Sequence, residues 1–276
     1  MSTHRPVTPR MWRTLTLAGA AAALTTAAPA FADQSGFSGP EARIWLAETE
    51  GGEGGEGGES GAVAEGAEAD NPSEFLTDLA LIEGHLRVGF ALYAADRADL
   101  AVTHMKHPQD EIYATLEPEL AEYGASGFSG ELTALASSVE GQKPLAEVEA
   151  AYLAVIAKIT AARTETEMPP RATFDAIIAA TRVAAEEYAI GVVDGKIANL
   201  HEYQDAWGFI ETAKAMADGL ITSTDPTVSA AATEVRKALE GTAVAFDGLV
   251  PEAIEGQATV IIAAAGASEL AAFKVK

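Results

Sequence analysis

The chain reads as an all-α protein, an up-and-down helical bundle of one unit or of two packed ones. Three observations predict this. Over residues 72–276 alanine and leucine dominate, period-two alternation of β-branched residues is scarce, and proline or glycine recurs at helix-length intervals. Asn71-Pro72-Ser73-Glu74 supplies a helix cap with a carboxylate three residues on, so a first helix opens there and runs to about Ala94. A second, short helix is expected from Asp96 to Met105. Pro108 suits a first helical turn, which puts His107 at a junction before a helix ending near Gly124. Further helices are expected at about 129–140, 144–166, 171–194, 199–222, 226–246 and 257–273. Their short connections favour antiparallel neighbours.

Ahead of this helical domain, Arg5, Arg10 and Arg13 precede an apolar stretch from Leu15 to Ala28 and then Ala30-Phe31-Ala32. That is the pattern of a secretory signal peptide over residues 1–32, cleaved before Asp33, and it implies a periplasmic protein. The apolar run is short and interrupted by Pro29, which argues against an anchor, and no membrane span is expected in the mature chain. Cysteine is absent, so disulfides, thiolate metal sites and lipidation at the signal site are excluded. Cleavage leaves 15 Lys+Arg against 41 Asp+Glu, a net charge of −26. Such a surface repels nucleic acid and attracts cations and basic partners, although solubility alone accounts for it equally well. Residues 33–71 are expected to be an acidic linker. Glycine and glutamate dominate from Glu48 to Asn71, with too little apolar surface to offset the entropy of ordering.

Histidine is the commonest protein ligand for transition metals. Of the four in the mature chain, His85, His104 and His107 fall within 23 residues. If the first two helices form a hairpin turning near Asp96, His85 and His104 face each other across it. Three residues separate His104 from His107, which places both on one helix face or hands one to the following junction. Glu83, Asp110 and Glu111 add carboxylates nearby, and Met105 adds a soft donor for cuprous copper. A mixed nitrogen and oxygen shell suits iron, copper or zinc better than calcium. Taken singly, each residue has a structural reading: His107 as a cap, His85 as a core histidine, Asp110 and Glu111 as partners of the helix dipole.

The fourth histidine lies in EYAIGVVDGKIANLHEYQDAWGF. Gly195 just past a helix end permits a left-handed turn, and Asn199 with Glu202 fits a capping box. Glu187, Tyr188, His201, Tyr203 and Asp205 need another reason. His201 and Asp205 are four apart and Glu202 and Asp205 three apart, so they share a face that Glu187 and Tyr188 meet across the hairpin. Glu83, His85, His104, His107, Glu111, Glu187, Tyr188, His201, Glu202 and Asp205 are therefore the candidate ligands of an iron or copper ion.

This second segment resembles the periplasmic N-terminal part of oxidase-dependent high-affinity iron permeases. The resemblance rests on Glu187, Tyr188, Val193, Asp194, Gly195, Glu202, Tyr203 and Asp205, without the acidic membrane spans of the permease. It implies a detached periplasmic version of that part, acting in iron or copper handling beside a membrane permease or another uptake component. EGHLRVGFALY is more faintly similar to the imelysin-like proteins, secreted helical bundles linked to iron uptake. Val88 stands where their motif has a glutamate, so their ligand set does not carry over. No catalytic role is expected: the chain has no thiol, no G-x-S-x-G elbow, no phosphate-binding glycine loop and no paired E-x-x-H helices. The competing reading is a helical adaptor whose histidine and acidic hairpins serve packing and partner docking, with no metal.

Overall fold

The computed structural model describes residues 71–276 apart from 167, 253 and 255. The expected signal peptide over 1–32 and the expected linker over 33–71 lie outside these residues, except for Asn71. That residue is the N-cap of the first helix, its side chain accepting from the Ser73 N–H at 3.2 Å.

The described residues form an all-α fold: α1 (Pro72–Ala94), α2 (Ala98–His107), α3 (Tyr113–Glu122), α4 (Ser129–Glu140), α5 (Leu145–Glu165), α6 (Pro170–Gly191), α7 (Leu200–Ile221), α8 (Pro226–Glu240) and α9 (Ala258–Ala272). Two rings of helices share one apolar core. In the first, α1 packs on α2, α2 on α4, α4 on α5 and α5 back on α1; in the second, α6, α7, α8 and α9 close in the same manner. Helix α1 joins them by lying against α6 and α7, and its buried stripe of Phe75, Leu76, Leu79, Ile82, Leu86 and Leu92 serves both rings. No helix of the described residues is long and apolar enough to cross a membrane.

Three local outcomes differ from the sequence reading. Helix α2 does not stop at a junction: a π-helical turn over Pro108–Ile112 carries it into α3. His107 is therefore an interior helical residue and not a cap, and the wider turn arises where Pro108 brings no N–H to the helical ladder. Helix α6 ends at Gly191, three residues early, because Val192–Val193 pairs with Lys196–Ile197 as a small antiparallel ladder. Asp194 and Gly195, at φ 52° and 70°, form the turn. Both central residues are left-handed, the condition for a type I′ hairpin, and Asp-Gly is its usual sequence. Helix α8 gives way at Gly241 to a 3₁₀ turn ending at Ala245.

One crossing positions the site. A Cβ at Gly208 would lie 2.3 Å from the carbonyl oxygen of Gly84, and one at Gly84 would lie 2.4 Å from Cδ1 of Phe209. Backbone thus meets backbone where α1 crosses α7. His85 follows Gly84, and Asp205 precedes Gly208 by one turn, so the crossing draws two polar side chains together inside the core.

At the other end of α1, burial first, then Glu119 and Glu74, push the Asp78 carboxyl up to about 7. A carboxyl whose folded pKa is raised contributes stability that is present below its unfolded pKa near 4 and is lost as pH rises through about 7. Stability should therefore fall across that window. Asp78→Asn, which cannot ionise, should flatten the dependence and stabilise the protein at pH 8 by on the order of 2 kcal/mol. Urea unfolding of both proteins at pH 5 and pH 8 checks this; an unchanged pH slope in the variant counts against it.

Candidate metal site

The two histidine-bearing segments, about a hundred residues apart, converge on one carboxylate. Oδ1 of Asp205, on α7, accepts hydrogen bonds from Nδ1 of His85 on α1 at 2.7 Å and from Nδ1 of His104 on α2 at 2.8 Å. All three side chains are fully buried. Oδ2 of Asp205 lies 3.1 Å from Nδ1 of His201, one turn earlier on α7. The rings pack on one another: His104 stacks on His201 at 4.1 Å, while His107 meets His201 edge-on at 4.7 Å and His85 at 5.6 Å. Phe209 closes the apolar side against His85 at 5.0 Å.

Oxygen donors border the cluster. Nε2 of His107 is 3.3 Å from Oε1 of Glu111, one turn on through the π-helical segment. Oε2 of Glu202 lies 3.9 Å from Nδ1 of His201, its Oε1 accepts from the Asn199 side-chain amide at 3.2 Å, and Glu187 on α6 is buried. Gln204 accepts from Nε2 of His104 at 2.9 Å, while its own amide donates to the Leu249 carbonyl at 2.9 Å. That second bond fixes the amide, which in turn fixes the His104 ring.

The electrostatics follow from burial and proximity. Burial opposes charge on Asp205, but His85 and His104 outweigh it and hold the carboxyl far below the usual carboxylate range. For His201 burial likewise opposes the charged form, and Glu202 with Asp205 overcomes it, raising the imidazole above its ordinary value. Glu202 is held low, chiefly by the His201 imidazole beside it.

Not every candidate ligand arrives here. Glu83 is buried, but its Oε1 accepts from Arg87 at 2.9 and 2.6 Å and its Oε2 from Arg163 on α5. Burial would raise its pKa; Arg163 and Arg87 overcome that and lower it. Both carboxylate oxygens are thus committed to guanidiniums. Glu83→Gln should cost about 3 kcal/mol by leaving two partly buried cations poorly matched, with copper affinity unchanged. A loss of copper binding in that variant, read by calorimetry, would return Glu83 to the ligand set. Tyr188 points to the other side of α6, donating to the Ala245 carbonyl at 2.8 Å beside Tyr203 and Phe246, and burial pushes its phenol up to about 12. Met105 packs in the apolar core against Gly89, and Asp110 is exposed. The capping box is incomplete. Asn199 caps α7 through the His201 N–H at 3.0 Å, but its own N–H goes to Gly191 and its side-chain amide donates to Glu202.

The donor set fits a transition metal. Imidazole nitrogens mixed with carboxylate oxygens suit iron, copper or zinc. Buried atoms also lack hydrogen-bond partners among the described residues: Oδ2 of Asp205 and Nε2 of His201. A buried polar atom left so costs about 1–3 kcal/mol, which coordination to a cation offsets. His85, His107 and Asp205 each offer a donor atom within 4.8 Å of the others, and so do His104, His201 and Asp205.

Residues 163–269 match the family model of the iron permease-associated 4-helix bundle domain. No curated protein and no solved structure matches the chain. The matched stretch runs from the end of α5 into α9 and takes in the second ring of helices, with His201, Glu202 and Asp205. His85, His104 and His107 come from outside it. The match agrees with the resemblance to iron permease segments, and Glu187, Tyr188, Val193, Asp194, Gly195, Glu202, Tyr203 and Asp205 all lie inside the matched stretch.

Proposed function

We propose that this chain is a periplasmic metal-binding protein, iron being its first expected cargo and copper the next, that holds or delivers the ion for an uptake system such as a membrane iron permease. One observation carries the reading: all four histidines of the expected mature chain gather around one carboxylate, that of the fully buried Asp205. The iron-permease-associated bundle supplies the link to iron. The chemistry is binding and release, not catalysis. The negative surface favours the approach of a cation, and the signal-peptide pattern at residues 1–32 supports the compartment.

The test is metal content and titration. Untagged protein recovered from the periplasm should carry iron or copper, and calorimetry with ferrous, ferric and cupric ions should give saturable binding. The His104→Ala, His107→Ala double variant should bind at least tenfold more weakly, with its helical circular dichroism retained. Parent-level affinity in that variant would leave the cluster as buried packing and favour the metal-free adaptor.

A further inference from the structure

Resting on that reading, we propose that the site holds two metal ions bridged by the Asp205 carboxylate. The donors divide into two sets of three that share only this residue. His85 and His107 lie with Asp205 on one side, His104 and His201 on the other, each set having its donor atoms within 4.8 Å of one another. His104 lies flat on His201 at 7°, while His107 stands edge-on both to His201 at 4.7 Å and to His85 at 5.6 Å, so the two sets are in contact through their rings.

The two oxygens of Asp205 are turned to different partners. Oδ1 is 2.7 Å from Nδ1 of His85 and 2.8 Å from Nδ1 of His104, and Oδ2 is 3.1 Å from Nδ1 of His201. Neighbouring ligands on an octahedral ion with bonds of about 2.1 Å lie about 3 Å apart, so these hydrogen-bonded spacings also match those of donors that share a cation. One carboxylate oxygen per ion is the arrangement that places two metals about 3.5–4 Å apart in bridged pairs.

Each half also has its own outer carboxylate. Glu111 reaches His107 at 3.3 Å, and Glu202 lies 3.9 Å from His201. The halves thus repeat a pattern of two imidazoles, one private carboxylate and one shared carboxylate. Gln204, bonded at once to His104 and to the Leu249 carbonyl, orients one imidazole as an outer partner does in metal sites.

The experiment uses the full mature chain and cupric ion as probe. Mass spectrometry and electron paramagnetic resonance are read on the same saturated sample. The expected result is two copper ions per chain with a half-field transition and reduced integrated spin, the signature of a coupled pair. His107→Ala alters a partly exposed side chain and should bind one copper with an isolated-ion spectrum, while His201→Ala should do the same from the other half. One copper per parent chain, or two without coupling, overturns the bridged pair and leaves the proposed function standing. No copper or iron bound at all overturns both.

Discussion

Asp205→Ala should be among the most damaging single substitutions in this protein. It removes the common acceptor of His85 and His104 from a fully buried position and strips His201 of its nearest carboxylate oxygen. Breaking a buried charged network by deleting one partner costs about 3–5 kcal/mol, since the remaining polar groups stay dehydrated without compensation. Urea denaturation should show the loss, and metal binding should vanish with it. Asp205→Asn separates the two effects. Its amide oxygen still accepts one hydrogen bond, so most stability should survive while the anionic donor is gone and iron affinity falls at least tenfold. Glu202→Gln is the companion control. It lies at the edge of the same cluster and should change stability by about 1 kcal/mol or less. An Asp205→Asn protein that binds iron like the parent would reduce the cluster to packing.

Gly208→Ala should have an effect of similar size for a different reason. The added methyl would sit 2.3 Å from a backbone oxygen of α1, and no side-chain rotation relieves such a contact. The helices must separate, at a cost of about 3 kcal/mol or more. The displacement also pulls His85 away from Asp205, so metal affinity should fall although no ligand has been touched. Gly219→Ala provides the control on the same helix, where a new Cβ meets nothing within 4 Å. There the better helix former should stabilise by about 0.5–1 kcal/mol and leave affinity alone. Equal behaviour of the two variants in thermal melts would remove the close crossing from the account.

How much of this was legible in the residues follows from the range of the forces involved. Helix boundaries depend on caps, prolines and periodicity within a few positions, so α1, α4, α5 and α8 begin within about two residues of where the pattern starts them. The small β ladder was missed although Asp-Gly between Val-Val and Lys-Ile is a local hairpin signal; the helical period on both sides outweighed it. The π-helical turn has a weaker local signature, because a proline is equally at home at a helix start. Residue chemistry singled out the four histidines and Asp205, but their meeting was not legible. It depends on Gly84 and Gly208, glycines 124 positions apart in the numbering, whose importance exists only once two backbones touch. The same limit explains Glu83 and Tyr188. Glu83 is two residues from His85, yet its partner Arg163 approaches from α5, and Tyr188 adjoins Glu187 but points toward Ala245. Gln204 passed unremarked because a neutral amide beside Asp205 carries no signal of its own.

X-ray absorption spectroscopy of the iron-loaded and copper-loaded mature chain tests the central claim most directly, because it reads the ligands themselves. The cluster predicts imidazole backscattering from about two histidines per metal, with carboxylate oxygens completing the shell and the imidazole contribution lost in the His85→Ala, His104→Ala variant. A first shell of oxygens alone, unchanged in that variant, would place the metal on surface carboxylates and contradict the site.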